Sequence, residues 1–282
     1  MPDDSRDLEK ERLRLTAQRL IFEQLIEAAK VIDRAITGLT DVPDQQHVGA
    51  VLFLNALTQA LSFLKIAPNP TEDKQLYDVA SCASLIRLIA ETYLTFRYIS
   101  VDPENLSDYL FRLNISEFHR RYKTEKMMSN FGQSKDTLEL AKQKLIDAKQ
   151  KLELDSLFNL LSEGQKKSLL QGEKSKHIGL AAIAEKSGLS SSAWAATYTY
   201  LSQFAHSSPM AILHLRSFNA NTPQANSTFS LLFQLASGFI AKLIQDMEQL
   251  FRRSGALLTY KQRESILVGV KVLNGFGRTA LE

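Results

Sequence analysis

The sequence predicts an all-α protein: a helical bundle with an antiparallel helical hairpin inserted in it. Gly and Pro together supply only 19 of 282 residues, about 7% against a usual ~12%. A chain so poor in turn residues needs long elements joined by few connections, which argues against a sandwich, a barrel or a Gly-rich phosphate-binding fold. Apolar residues also recur at three- and four-residue spacing along most of the chain, the period of an α-helix with one buried face. With 44% hydrophobic residues, there is enough apolar material for a substantial core.

Residues 5–39 carry Leu13, Leu20, Phe22, Leu25, Ile26, Ala29, Ile32 and Ile36 at helical spacing and end at Gly38. Residues 44–66 are apolar around most of the circumference, so this second helix is expected to be largely buried. Pro68 and Pro70 stop it, and Thr71 is placed to cap a third helix over 72–100. Asp102-Pro103-Glu104 is a restart signal, an acceptor followed by Pro in a first turn. The helix it opens, about 104–129, breaks at Asn130-Phe131-Gly132, and Asp136 with Glu139 resembles a capping box. From there Leu138, Ala141, Leu145, Ala148 and Leu152 step by three and four, a two-heptad seam that predicts a hairpin of 104–129 against 137–161. Residues 162–176 read as an extended polar linker. Shorter helices follow around 178–187 and 191–206, with another starting at Pro209. A polar loop covers 219–227, then helices run over about 228–253 and 259–273. One domain over 1–282 is expected, with the hairpin at 104–161 inserted in it and a disordered tail over 274–282.

The charge is close to balanced, net +3, too little for whole-surface attraction to nucleic acid or membrane. A single cysteine excludes a disulfide framework and a multi-thiolate metal site, and fits a reducing compartment. The N-terminal MPDDSRDLEKERLR has no apolar h-region, so it does not read as a signal peptide. The longest apolar stretches, Val48–Leu57 and Phe229–Ile244, fall short of the ~20 uninterrupted apolar residues of a bilayer crossing. A soluble, cytoplasmic protein without a membrane partner is expected. No P-loop, G-x-S-x-G or dinucleotide fingerprint is present, so Walker-type nucleotide hydrolysis, acyl transfer and hydride transfer are not indicated. His47, His177 and His214 lack ligand spacing, and neither metal nor cofactor is expected.

Two segments hold polar groups in apolar surroundings. In YDVASCASLIRLIAETYLTFRYIS, Arg87 and Glu91 stand one turn apart and share a face with Ala80, Ala83 and Ser84. A buried charge without a partner is costly, so the two are expected to pair with each other or with something opposite. That pair reads either as a structural ion pair fixing helix register or as a polar hole for an anionic substrate. In WAATYTYLSQFAHSSP, Trp194, Tyr198, Leu201 and Ala205 form a core stripe, with Thr199, Ser202 and His206 along its edge. His206 would sit at a helix C-terminus, where the dipole favours imidazolium. It reads as an acid or base near neutral pH, or as a histidine satisfying terminal carbonyls. Cys82 lies in the apolar third helix beside no expected base and reads as a packing residue.

ASLIRLIAETYLTFRYISVDPE followed by YTYLSQFAHSSP resembles a bacterial family of unknown function with an R-x-x-x-E helix, a D-P-E restart and a Y-x-x-L-S-x-x-x-H segment. The resemblance spans about 75–215 and carries over Arg87, Glu91, Tyr198, Ser202 and His206 as the family's polar positions. More distantly, the helical bundle and the L-S-x-x-x-H segment are similar to HEPN domains, many of which are metal-independent ribonucleases or their inactive relatives in bacterial defence. Active members place an arginine ahead of the histidine with four to six residues between them. Here Thr199, Tyr200 and Leu201 stand at those positions, so an enzyme requires Arg87 to supply the charge from another helix. The literal match Arg112-x6-His119 is expected about once by chance in a chain with 15 arginines and 5 histidines, and reads as a solvated pair on the hairpin.

IAEKSGLSSSAW resembles a helix-turn-helix turn, but the segment after it has no Lys or Arg, which argues against DNA reading. Residues 119–176 hold 13 Lys and Arg against 8 Asp and Glu. This local excess suits RNA phosphates or a solvated hairpin face. Two functions stay open. One is a HEPN-like ribonuclease or effector in stress or phage defence: His206, Arg87 and Glu91 would be catalytic, Ser202 and Tyr198 would hold substrate, and homodimerisation would follow from the resemblance. The other is a non-catalytic helical module with a structural Arg-Glu-His polar core and a hairpin that binds a protein partner.

Overall fold

The computed structural model describes residues 4–72, 77–205, 208–209, 211–213, 219–220, 222–252 and 254–275. Among them the regular structure is helical, with no strand. The protein is all-α.

The chain divides into two compact units, one formed by Met1–Arg97 with Ala184–Glu282 and the other by Tyr98–Ile183. The first unit contains α1 (Asp4–Ile36), α2 (Asp44–Ile66), α3 (Val79–Phe96), α9 (Ser191–Ala205), α10 (Pro223–Leu250) and α11 (Tyr260–Gly275). Its central element is α10, which packs against α1, α2, α3 and α11, while α3 also packs against α9. The core is aromatic: Phe22 of α1, Phe63 of α2 and Phe233 of α10 meet pairwise edge-on at 5.3, 5.7 and 4.9 Å between ring centroids, the arrangement aromatic quadrupoles favour. Where α11 crosses α10, the helices approach so closely that a Cβ on Gly269 would lie 2.7 Å from Ala241 Cβ and 2.9 Å from the Ser237 carbonyl oxygen.

The caps depart from several sequence expectations. Thr71 does not cap α3; that helix begins at Val79, where the Asp78 side chain accepts from Ser81 N–H at 2.9 Å. Residues 73–76 lie outside the described residues. The loop expected over 219–227 already contains the start of α10, with Thr222 as N-cap and Pro223 in the first turn, because Thr followed by Pro is itself a start signal. At the helix expected from Pro209, the Ser208 hydroxyl accepts Ala211 N–H at 3.3 Å. Residues 276–282 of the expected tail lie outside the described residues, and Asn274 and Gly275 belong to α11.

The second unit starts where α3 gives way to a π-helical turn, Arg97–Val101. The restart then falls later than Asp102-Pro103. Asn105 caps α4 (Leu106–Asn130), and the Asp108 carboxylate accepts Glu104 N–H. α4 packs against α5 (Lys135–Glu153). The seam residues Leu138, Ala141, Leu145 and Ala148 are half-buried on α5 and Leu152 is buried, while most of the rest of that helix is exposed. Leu152 joins Phe111, Ile115, Phe118, Phe158 and Leu169 in a small core. The second hairpin helix, expected to run to 161, ends at Glu153 and is followed by the short α6 (Ser156–Asn159), while the stretch read as a linker contains α7 (Glu163–Leu170). A reciprocal capping box between Ser162 and Gln165 opens α7. Gln serves there as well as Glu, and Leu169 buries the helix in the core. α8 (Leu180–Lys186) spans the return to the first unit.

No single uninterrupted apolar run reaches bilayer length, but Asp44–Ile66, Val79–Val101 and Pro223–Leu250 are long enough, and apolar enough on average, to cross a membrane. The average tolerates the polar residues that interrupt each run, Arg87 and Glu91 in the second among them. Of the most apolar stretch of each, 72% is buried within the fold in α10 but only 33% in α2.

Candidate functional site

The polar residues singled out on α3 and α9 meet. Arg87 donates through Nε to Glu91 Oε1 at 2.9 Å and through Nη2 to the Tyr198 hydroxyl at 2.8 Å. Its guanidinium also lies over the Tyr198 ring, 4.9 Å from the centroid. The first contact follows from helix geometry, since residues four apart face each other. The second exists because Ala80, Ala83 and Ser84 keep that face of α3 small, and α9 packs against it. Trp194, 5.3 Å from Tyr198 ring to ring and 4% exposed, anchors α9 from the preceding turn.

The pair is partly covered: the Arg87 and Glu91 side chains are 19% and 34% exposed. Burial works against the Arg87 charge, but Glu91 and Tyr198 outweigh it and raise the guanidinium further above its ordinary value. One turn beyond Tyr198, Ser202 Oγ is buried and, among the described residues, has no hydrogen-bond partner. His206, the proposed acid or base, lies outside the described residues, as does His214. The structure therefore brings Arg87, Glu91 and Tyr198 together and puts Ser202 on the same helix as Tyr198.

Arg112 and His119 are not the solvated pair that their spacing suggested. Arg112 is 4% exposed and forks onto both Asp108 oxygens at 2.8 Å. It also donates to the Tyr98 carbonyl at 2.9 Å and stacks over the Tyr98 ring at 5.0 Å. Burial raises the Tyr98 phenol well above its ordinary value, and its oxygen is 2.8 Å from His177 Nδ1. His119 Nδ1 donates to the Gly172 carbonyl at 2.8 Å. The π turn carries the Tyr98 backbone to Arg112, which explains why a hairpin arginine is buried.

A second cluster in the first unit was not anticipated. Arg97 Nη1 is 2.9 Å from Asp246 Oδ1, and Tyr93 donates its hydroxyl to Asp246 Oδ2 at 3.1 Å. Burial raises the Tyr93 phenol well above its ordinary value, and Arg97 and Ser187 work against that rise. Lys242, one turn before Asp246 on α10, has its pKa lowered by burial, with Arg97 adding to the effect and Asp246 opposing it. The available signal was Lys242 and Asp246 interrupting one face of an apolar run; it did not name their partner. Among the described residues, no group of three His, Cys, Asp or Glu side chains is placed to hold a metal ion.

No curated protein and no solved structure matches the chain. A family model does, over residues 46–223, a span that includes Arg87, Glu91, Tyr198, Ser202 and His206. That match extends over more than half of the sequence, and the chain belongs to the family of unknown function DUF5677.

Proposed function

We propose that the α3–α9 cluster recognises the phosphates of RNA and that this protein is a HEPN-like helical effector, a metal-independent ribonuclease of bacterial stress or phage defence. The observation that carries this reading is Arg87: a guanidinium held in place by a carboxylate and a phenol, still partly open to solvent. Ser202 follows Tyr198 by one turn on the facing helix. A preset guanidinium offers paired N–H donors to phosphoryl oxygens and stabilises charge gathering on a pentavalent phosphate. In this reading Glu91 orients Arg87, Tyr198 and Ser202 bind substrate, and His206 moves the proton. The cytoplasmic location and the homodimer belong to the same proposal.

A second reading has its own support. Arg87 makes an ion pair, a hydrogen bond and a ring contact within the fold, as a structural clasp between two helices would. The protein would then be a non-catalytic module whose hairpin unit binds a partner protein. Phe131, Leu154 and Leu160 of that unit are 74%, 83% and 80% exposed.

Incubation of tRNA and single-stranded RNA in EDTA with wild type, His206→Ala, Arg87→Ala and Arg87→Lys separates the readings, with thermal melts of each variant. Cleavage by wild type that is lost in variants with an intact melting transition supports the ribonuclease. Absence of cleavage by wild type, or cleavage that persists in both alanine variants, rejects it and leaves the non-catalytic module.

A further inference from the structure

We propose that the exposed face of α2 is a homodimer interface, on which α2 of a second copy of this chain packs antiparallel. One face of α2 is buried in the first unit through Phe53, Ala56, Leu57, Ala60 and Phe63, against α1, α3 and α10. The opposite face is apolar too. Val51, Leu54 and Leu61 are 56%, 50% and 38% exposed. Single exposed leucines are ordinary on a protein surface, but a continuous row of them marks a contact.

The row has the geometry of a helix-pairing seam. His47, Val51, Leu54, Thr58, Leu61 and Lys65 are all exposed and step alternately by four and three. That spacing keeps one seam turned toward a partner helix, and among the described residues nothing covers it. The hydroxyls on this face are already satisfied. Thr58 donates to the Leu54 carbonyl at 2.9 Å, and Ser62 beside the seam donates to the Thr58 carbonyl at 3.0 Å. Burial against a partner therefore strands neither donor.

Spacing and end charges together select a second copy and its direction. A twofold axis beside Ala56 pairs Val51 with Leu61 of the second copy, Leu54 with Thr58 and His47 with Lys65, so the seam complements itself. α2 carries Asp44 in its first turn and Lys65 in its last. Antiparallel pairing brings Asp44 of one copy to within about a turn of Lys65 of the other, whereas parallel pairing sets like charges together at both ends. A lipid surface fits less well, because it calls for cations along the apolar row and α2 balances Lys65 with Asp44.

The size of the face sets the strength of the contact. A helix of 23 residues is about 34 Å long, and a strip about 10 Å wide along it covers about 340 Å² per copy. That is less than half of the ~800 Å² per partner of a standard interface. Leu88 of α3, 47% exposed, adds apolar surface one turn from Thr92, whose hydroxyl donates to Gln59 of α2 at 3.2 Å. The dimer should therefore be reversible, with a dissociation constant in the micromolar range. None of these residues belongs to the α3–α9 cluster, and association is measured without RNA, so the test is independent of the ribonuclease reading.

The test is sedimentation equilibrium of the full chain from about 1 to 300 μM. Wild type should show a monomer–dimer equilibrium. Leu54→Glu sets a carboxylate in the seam of both copies and should weaken association about a hundredfold or more. Its melting temperature in dilute solution should match wild type, since Leu54 is exposed in the monomer. Direction is read by mild oxidation of His47→Cys and Lys65→Cys, alone and mixed, with the buried Cys82 silent. The mixture should cross-link fastest, because in the antiparallel pair each cysteine lies about 27 Å along the seam from its own counterpart. Monomer throughout, a dimer unmoved by Leu54→Glu, or self-linking as fast as mixed linking would each overturn the proposal. So would monomeric wild type that floats with phosphatidylcholine–phosphatidylserine vesicles, which would make a bilayer the occupant.

Discussion

Arg97 and Asp246 stand 149 residues apart in sequence and form an ion pair of 2.9 Å in the interior of the first unit, with side chains 15% and 9% exposed. The second carboxylate oxygen accepts the Tyr93 hydroxyl. A buried pair contributes little over a well-packed apolar pair, but removal of one partner strands the other charge. Asp246→Ala should therefore cost about 3–5 kcal/mol in urea unfolding. The double variant Asp246→Ala/Arg97→Met should recover much of that loss. Additive losses in the two changes would mean that the charges act independently.

The same carboxylate gives a pH dependence of unusual sign. Burial raises the Asp246 pKa above its ordinary value, against the opposing pull of Arg97, Tyr93 and Lys242. The folded chain therefore holds this proton more tightly than the unfolded chain, and stability falls with pH wherever that is so. The contribution is complete below the ordinary carboxylate value near ~4 and is lost as pH rises through the folded value. Asp108 behaves oppositely. Burial pushes its pKa up, but Arg112 and the Glu104 N–H more than reverse this and lower it. Its contribution is present at neutral pH and lost as acid protonates it. Denaturation of wild type and Asp246→Asn between pH 4 and 7 isolates the first effect. The stability of wild type relative to the variant should decline as pH rises, and a constant difference would contradict the assignment.

At the α3–α9 seam, Tyr198 contributes two separable things, an acceptor for Arg87 at 2.8 Å and a ring beneath its guanidinium at 4.9 Å. Tyr198→Phe removes the first and keeps the second. Because the site is partly solvated, the loss should be about 1 kcal/mol. Tyr198→Ala also removes the ring and its contact with Trp194, and should cost clearly more, about 3 kcal/mol. Equal effects of the two changes in thermal unfolding would show that the hydrogen bond, not the stacking, joins the helices.

Local periodicity made much of this legible in the sequence. Arg87 and Glu91 pair because four residues on a helix return to one face, and the α5 seam is half-buried at the spacing that predicted it. What the sequence hid depends on tertiary approach. Nothing near Arg97 announces Asp246, since no helical or strand period links positions so far apart. Arg112 looked solvated because a hairpin usually exposes its charges, and only the π turn at Arg97–Val101 brings the Tyr98 carbonyl onto it. α7 was hidden by its composition. It is short and polar, and its one deeply buried side chain, Leu169, matters only once the core of the second unit exists.

Cys82 offers a reporter of the α3 environment. Its side chain is fully buried in the apolar face of the helix. Burial, with the nearby Asp78 charge adding to it, pushes the thiol up to about 12. The thiolate is the reacting form, so at pH 8 only about one thiol in ten thousand would be ionised even with free access. Native protein should therefore fail to react with a thiol-specific disulfide reagent at pH 8, and should release one equivalent of chromophore once urea unfolds it. Across intermediate urea concentrations the labelling rate should follow the open population of α3. Rapid labelling without denaturant would mean that the helix does not hold Cys82 inside the bundle.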